Sequence, residues 1–187
     1  NVNSGLNSLL VTLSISHITA SKSEWQNVRT FYENNRKKLT IEQFSYNGNK
    51  ISSHFIVFLR NMKRIRRLFL NNCPNFSQFS STLATNFISK SDTLNELYIE
   101  KADTSSFTEE SSFTTFFDKC CESLSLRLID AKMCKIGLDG LNALSNLIVN
   151  CKSGNLNQVA FDGTGIESFE EIQQFFDDLR SFVESKN

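Results

Sequence analysis

Apolar residues return along this chain in one small pattern about every thirty residues. If the first apolar position of each copy is numbered 0, apolar residues stand at 0, 3, 5 and 10, and a small or amide-bearing residue stands at 8. The fullest copies are Ile41-x-x-Phe44-x-Tyr46-x-x-Asn49-x-Ile51, Leu126-x-x-Ile129-x-Ala131-x-x-Cys134-x-Ile136 and Leu156-x-x-Val159-x-Phe161-x-x-Thr164-x-Ile166. Looser copies are Leu10-x-x-Leu13-x-Ile15-x-x-Ile18, Ile65-x-x-Leu68-x-Leu70-x-x-Cys73 and Leu94-x-x-Leu97-x-Ile99-x-x-Ala102. Six copies therefore start at 10, 41, 65, 94, 126 and 156, spaced 31, 24, 29, 32 and 30 residues apart. A period of this length signals stacked units, each burying its apolar face only against its neighbours.

Within a copy, the alternation at positions 3 and 5 predicts a short strand whose two inward residues face a core. Position 8 falls where the chain leaves the strand. There an amide or thiol can bond backbone groups that the turn leaves unpaired. Cys73 and Cys134 hold that place, so they read as buried turn residues rather than reactive thiols.

Between the strands the spacing becomes helical. Trp25, Val28 and Phe31/Tyr32 share one face, as do Phe79, Leu83 and Phe87, then Phe113, Phe116, Phe117 and Cys120, then Leu141, Leu144 and Ile148. Capping boxes open three of these segments, at Ser21-x-x-Glu24, Ser106-x-x-Glu109 and Ser168-x-x-Glu171. Residues 52–61, with Phe55, Ile56, Phe58 and Leu59, are shorter and read as one irregular helix.

Strand motifs alternating with full helices at these spacings resemble the ribonuclease-inhibitor-like class of leucine-rich repeats. Uneven repeat lengths and Phe in place of Leu look more like the repeats of CARMIL-type and tropomodulin-type actin regulators. The resemblance covers nearly the whole chain. It implies an α/β fold: a leucine-rich-repeat solenoid, or horseshoe, of about six repeats, with a parallel concave sheet and convex helices. Residues 1–187 read as one such domain, and an opening at Asn1 directly in repeat-like sequence reads as a piece of a longer protein.

Composition narrows the setting. At 187 residues and 40% apolar content the chain can bury a continuous core. No run approaches the ~18 apolar residues of a membrane span, and no signal-peptide order opens the chain. Five cysteines, Cys73, Cys120, Cys121, Cys134 and Cys151, have no C-x-x-C spacing, and only two histidines accompany them. We therefore expect a reduced, cytoplasmic protein with no metal site and no cofactor. The sequon Asn75-Phe76-Ser77 is of the kind that arises by chance in a chain rich in Asn and Ser. Formal charge sums to zero, yet residues 1–93 hold 12 Lys or Arg against 4 Asp or Glu, and residues 94–187 hold 8 against 16. Such a split either reflects two differing solvated faces or supports end-to-end self-association.

Candidate functional residues follow from the columns that stacked strands create. Position 2 gives Thr12, Gln43, Arg67, Glu96, Leu128 and Gln158; position 4 gives Ser14, Ser45, Phe69, Tyr98, Asp130 and Ala160. Position 6 gives Ser16, Asn47, Asn71, Glu100, Lys132 and Asp162. Phe69 beside Tyr98, flanked by Arg67, Glu96, Leu128, Asp130 and Lys132, has the aromatic and Arg composition of a binding hot spot. The plainer alternative is a neighbouring-strand aromatic pair or one covered by a loop.

A basic run, Arg60, Lys63, Arg64, Arg66 and Arg67, could meet anionic lipid, nucleic acid or an acidic protein, or could simply favour a helix C-terminus. It lacks the aromatic interleaving of nucleic-acid binders, so nucleic acid is not the expected partner. The segment Glu167 to Lys186 carries Phe169, Ile172, Phe175, Phe176, Leu179, Phe182 and Val183 at helical spacing, which packing against the last strand explains, with some of these aromatics expected to stay uncovered if a further repeat follows. Nothing assembles a catalytic site: His17 and His54 fall in different repeats, and Asp162-Gly163-Thr164-Gly165 reads as turn chemistry. The expectation is a non-enzymatic scaffold that binds a protein partner of unknown identity on its concave face. An actin-cytoskeleton regulator or a GTPase-activating leucine-rich-repeat protein are the alternatives.

Overall fold

The computed structural model describes residues 9–36, 39–102, 111–134, 136–151, 156–161 and 169–186. Six strands form one parallel sheet in sequence order: β1 (Leu9–Ser14), β2 (Leu39–Ser45), β3 (Arg67–Phe69), β4 (Glu96–Tyr98), β5 (Leu128–Asp130) and β6 (Gln158–Ala160). Six α-helices alternate with them among the described residues: α1 (Lys22–Asn35), α2 (Ser53–Asn61), α3 (Phe76–Asn86), α4 (Ser111–Cys121), α5 (Gly137–Asn150) and α6 (Phe169–Lys186).

Register follows the repeat template. Leu13, Phe44, Leu68, Leu97, Ile129 and Val159 lie side by side across the sheet. The middle four are fully buried and join Trp25, Phe55, Phe76, Phe116 and Leu144 from the helices in one core. The sheet therefore buries one face under the helices. Glu42 is skipped in the β1–β2 pairing, a bulge that brings Thr12 opposite Gln43. Near α1 the core is aromatic, with Trp25 centred 5.6 Å from Tyr46, 5.4 Å from Phe55 and 5.2 Å from Phe58.

The turn after each of β1 to β5 repeats a backbone state that the apolar pattern does not reveal. His17, Gly48, Asn72, Lys101 and Met133, all at position 7, have φ of 54°, 70°, 56°, 53° and 56°. Position 8 then bonds as its chemistry predicts. Asn49 donates to the Ile15 carbonyl at 2.8 Å and accepts from the Ile18 amide at 2.6 Å. Cys73 Sγ donates to the Tyr46 carbonyl at 3.5 Å, and Cys134 Sγ to the Ile99 carbonyl at 2.9 Å. Burial pushes the Cys73 thiol up to about 12 and the Cys134 thiol to about 11.

Ser21 caps α1 with a complete capping box: its Oγ accepts from the Glu24 amide at 3.3 Å, and Glu24 Oε2 accepts from the Ser21 amide at 2.6 Å. That backbone bond holds the Glu24 carboxyl below its usual range. The boxes at Ser106 and Ser168 involve positions outside the described residues.

Two expectations need correction. Residues 53–61 form a regular helix, because Ser52 supplies an N-cap whose Oγ accepts from the Phe55 amide at 3.2 Å. In α1, Trp25 and Tyr32 are buried, but Val28 is 37% and Phe31 62% exposed. The described helix that α1 packs against is α2, which covers only the flank carrying Trp25 and Tyr32. In α6, Phe175 is buried with its ring 5.6 Å from Phe161, whereas Phe169 and Phe176 are exposed.

Candidate partner-binding face

The predicted columns form as ladders on the sheet face away from the helices. Gln43, Arg67, Glu96, Leu128 and Gln158 are successive register partners, and so are Ser45, Phe69, Tyr98, Asp130 and Ala160. Each pair of outward positions flanks a position 3 that is buried in β2 to β5 and partly buried in β6, since side chains alternate along a strand. The three-residue strands β3, β4 and β5 thus display two residues each and bury one.

Phe69 and Tyr98 stack face to face, with ring centroids 4.3 Å apart and planes 7° from parallel. The neighbouring-strand stacking is therefore present, yet both rings remain half-buried rather than covered. Around them, Tyr98 Oη donates to Glu96 Oε2 at 2.9 Å, and Arg67 Nε meets the same oxygen at 3.0 Å. Desolvation, and then the bond to Glu96, raise the Tyr98 phenol above its ordinary value. Lys132 Nζ lies 3.3 Å from Asp130 Oδ2, and the Lys132 amide donates to Asp130 Oδ1 at 3.1 Å. Leu128 sits half-buried beside Glu96. All seven predicted site residues thus occupy one contiguous patch, its charges paired and its aromatics held flat against each other.

The basic run does not stay together. Arg66 Nε approaches Glu42 Oε2 at 3.8 Å, and Arg67 joins the sheet face. Arg60, Lys63 and Arg64 stand at the opposite end of the turn, where α2 leads into β3. Alternating side-chain direction at a strand start separates charges that are contiguous in sequence.

Two residues that the sequence reading placed in a column without a role turn out to be structural. Asn47 Oδ1 accepts from the Asn71 amide at 2.9 Å, and Asn71 Oδ1 accepts from the Glu100 amide at 2.9 Å, a side-chain ladder tying three repeats together. Asn at the same offset in consecutive repeats was the available signal. In the sequon, the Asn75 amide is committed to Ile51, donating to its carbonyl at 2.9 Å and accepting from its amide at 2.8 Å. The Asp162–Gly165 turn lies outside the described residues.

No protein-family model matches this chain, and no curated protein does. Solved structures share the fold. One is described as leiomodin-1 actin-binding site 2, with a TM-score of 0.58 at 12% identity, covering 90% of this chain and 93% of that one. Another is the tropomodulin C-terminal domain of Caenorhabditis elegans, with a TM-score of 0.56 at 15% identity, covering 87% of this chain and 95% of that one. This chain therefore shares its fold, a six-stranded parallel sheet alternating with helices, with these two domains over about nine-tenths of its length. Among the described residues no helix is long and apolar enough to cross a membrane.

Proposed function

We propose that this domain is a cytoplasmic protein-interaction module of the actin cytoskeleton, with no catalytic role of its own. In this reading the sheet is the inner, concave surface of a horseshoe solenoid, and actin docks on the patch centred on Phe69 and Tyr98. The observation that supports it is the likeness to leiomodin-1 actin-binding site 2, which runs across nine-tenths of both chains. The patch has the anatomy of a hot spot, flat rigid aromatics rimmed by paired charges.

Co-sedimentation with filamentous actin, paired with a monomeric-actin titration, tests the reading. Binding is expected in at least one of the two, and Phe69→Ser/Tyr98→Ser is expected to weaken it by about 30-fold, the equivalent of ~2 kcal/mol for a lost anchor. Circular dichroism of the variant should match the parent. Absence of binding to either form of actin overturns the actin reading.

The wider reading, a scaffold for a different protein, is favoured by the half-buried aromatic stack itself, which needs no actin to explain it. A pull-down with parent and double variant in parallel separates the two: actin or capping protein lost by the variant supports the first, and an unrelated protein lost by it supports the second. Stimulated GTP hydrolysis by a Ran-type GTPase would instead support the GTPase-activating alternative.

A further inference from the structure

The edge of the solenoid where helices turn back into strands carries two adjacent clefts. The larger, about 720 Å³, is lined by Tyr32, Glu33, Arg36, Asn61, Lys63 and Arg64. The smaller, about 340 Å³, is lined by residues that include Arg60, Lys63, Lys90, Ser91 and Asp92. Lys63 stands in both walls, so the two make one trough running along the repeat direction from α1 past α2 to the loop after α3.

Five cations line it: Arg36, Arg60, Lys63, Arg64 and Lys90. Six basic residues elsewhere among the described residues, Arg29, Arg66, Arg67, Lys101, Lys119 and Lys132, are in ion pairs. The five in the trough have no carboxylate within pairing distance among the described residues. Two carboxylates share the trough. Glu33 is held by Arg29 at 2.8 Å, and Asp92 is exposed at the far end. Arg64 is not a free-swinging side chain, since its Nη1 donates to the buried Thr40 hydroxyl at 3.2 Å. Its positive charge is felt at the Tyr32 phenol in the same wall, where desolvation raises the phenol and Arg64 opposes the rise.

Three ligand chemistries could neutralise such a trough, and the walls discriminate among them. A bilayer surface is flat, and among the described residues no large exposed apolar side chain lines either cleft to insert into it. Single-stranded nucleic acid needs exposed rings for stacking, but the aromatic lining residues, Tyr32 and Phe87, are buried. An extended acidic peptide needs a recessed path with cations at intervals and polar groups between them, as Asn61, Asn86 and Ser91 provide. We propose that this trough binds an extended Asp/Glu-rich segment of a partner protein, laid across the helix C-terminal edge. It is a second surface, independent of the aromatic patch and of the actin reading.

The test is fluorescence anisotropy with a labelled twelve-residue peptide alternating Glu and Ser, against the same peptide with Gln for Glu. The acidic peptide is expected to bind and the neutral one not, with affinity falling as salt rises from 50 to 200 mM. Lys63→Gln/Arg64→Gln should weaken binding at least tenfold. Lys22→Gln/Lys50→Gln, which removes the same charge from exposed sites outside the trough, should weaken it less than twofold. Equal loss in both variants would mean general charge attraction and overturns the proposal. So would unchanged binding in Lys63→Gln/Arg64→Gln, or tighter binding to phosphatidylserine vesicles or oligo-uridine than to the peptide. Matched melting curves for the two variants keep a folding defect from imitating the result. If the cations served only the helix ends, the melting temperature would fall and peptide binding would be absent from the parent.

Discussion

The hydroxyl of Ser77 is buried in α3 and has no hydrogen-bond partner among the described residues, while the neighbouring Ser80 hydroxyl donates to the Ser77 carbonyl at 3.0 Å. An unsatisfied hydroxyl costs its desolvation without return, and Ala is the better helix former. Ser77→Ala is therefore expected to raise unfolding free energy by about 1 kcal/mol, read from urea midpoints. The position-8 thiols offer a pH signature. Cys73 and Cys134 hold their protons to about 12 and 11 when folded, against 9.0 ordinarily. Folded chains thus bind more protons than unfolded ones above pH 9, so the stability these thiols contribute is complete below that value. It drains away as pH climbs toward their folded values. Denaturant melts across this alkaline window should show the decline, with a shallower one in Cys73→Ala. At pH 8, thiol-reactive dye should label Cys73 and Cys134 only as fast as the protein opens.

At the level of the element, the left-handed residue at position 7 is the shared device of the five described turns. Only Gly48 meets that conformation without a Cβ, and a Cβ there would come 3.2 Å from His17 Nε2. Lys101, exposed and at φ 53°, carries the strain of a side chain in this region. Lys101→Gly should accordingly stabilise by about 1 kcal/mol, and Gly48→Ala should destabilise by a similar amount. Parallel urea titrations of the two variants check both signs. Strand register was legible in the sequence because inward residues such as Phe44, Leu68, Leu97 and Ile129 are spaced by a template that stacking must align. The turn conformation was not legible, since His, Gly, Asn, Lys and Met share no side-chain chemistry; what they share is a backbone angle. Val28 and Phe31 misled for another reason. Helical periodicity tells which residues share a face, but only packing against α2 decides how much of that face is covered.

Across the whole molecule, the seven residues of the aromatic patch could be read from the sequence because strand alternation and repeat length together fix a two-dimensional array. The trough could not, because Arg36, Lys63, Arg64 and Lys90 come from three different helix-to-strand connections whose approach depends on how helices stack. The basic run was a partial signal, and it merged two surfaces that the start of β3 sends in different directions. The charge split survives in three dimensions as a property of order along the stack, since strand order equals chain order.

That same ordering has a mechanical consequence. Strands β3 to β6 contribute three residues each, and each strand pairs only with its neighbours in chain order. A load pulling the first and last units apart would meet these short rungs one after another and never all at once. The molecule would yield like a zip fastener, by stages, with the cross-links of Asn47 and Asn71 among the bonds that hold neighbouring rungs together. A fold of this kind would lengthen before it broke.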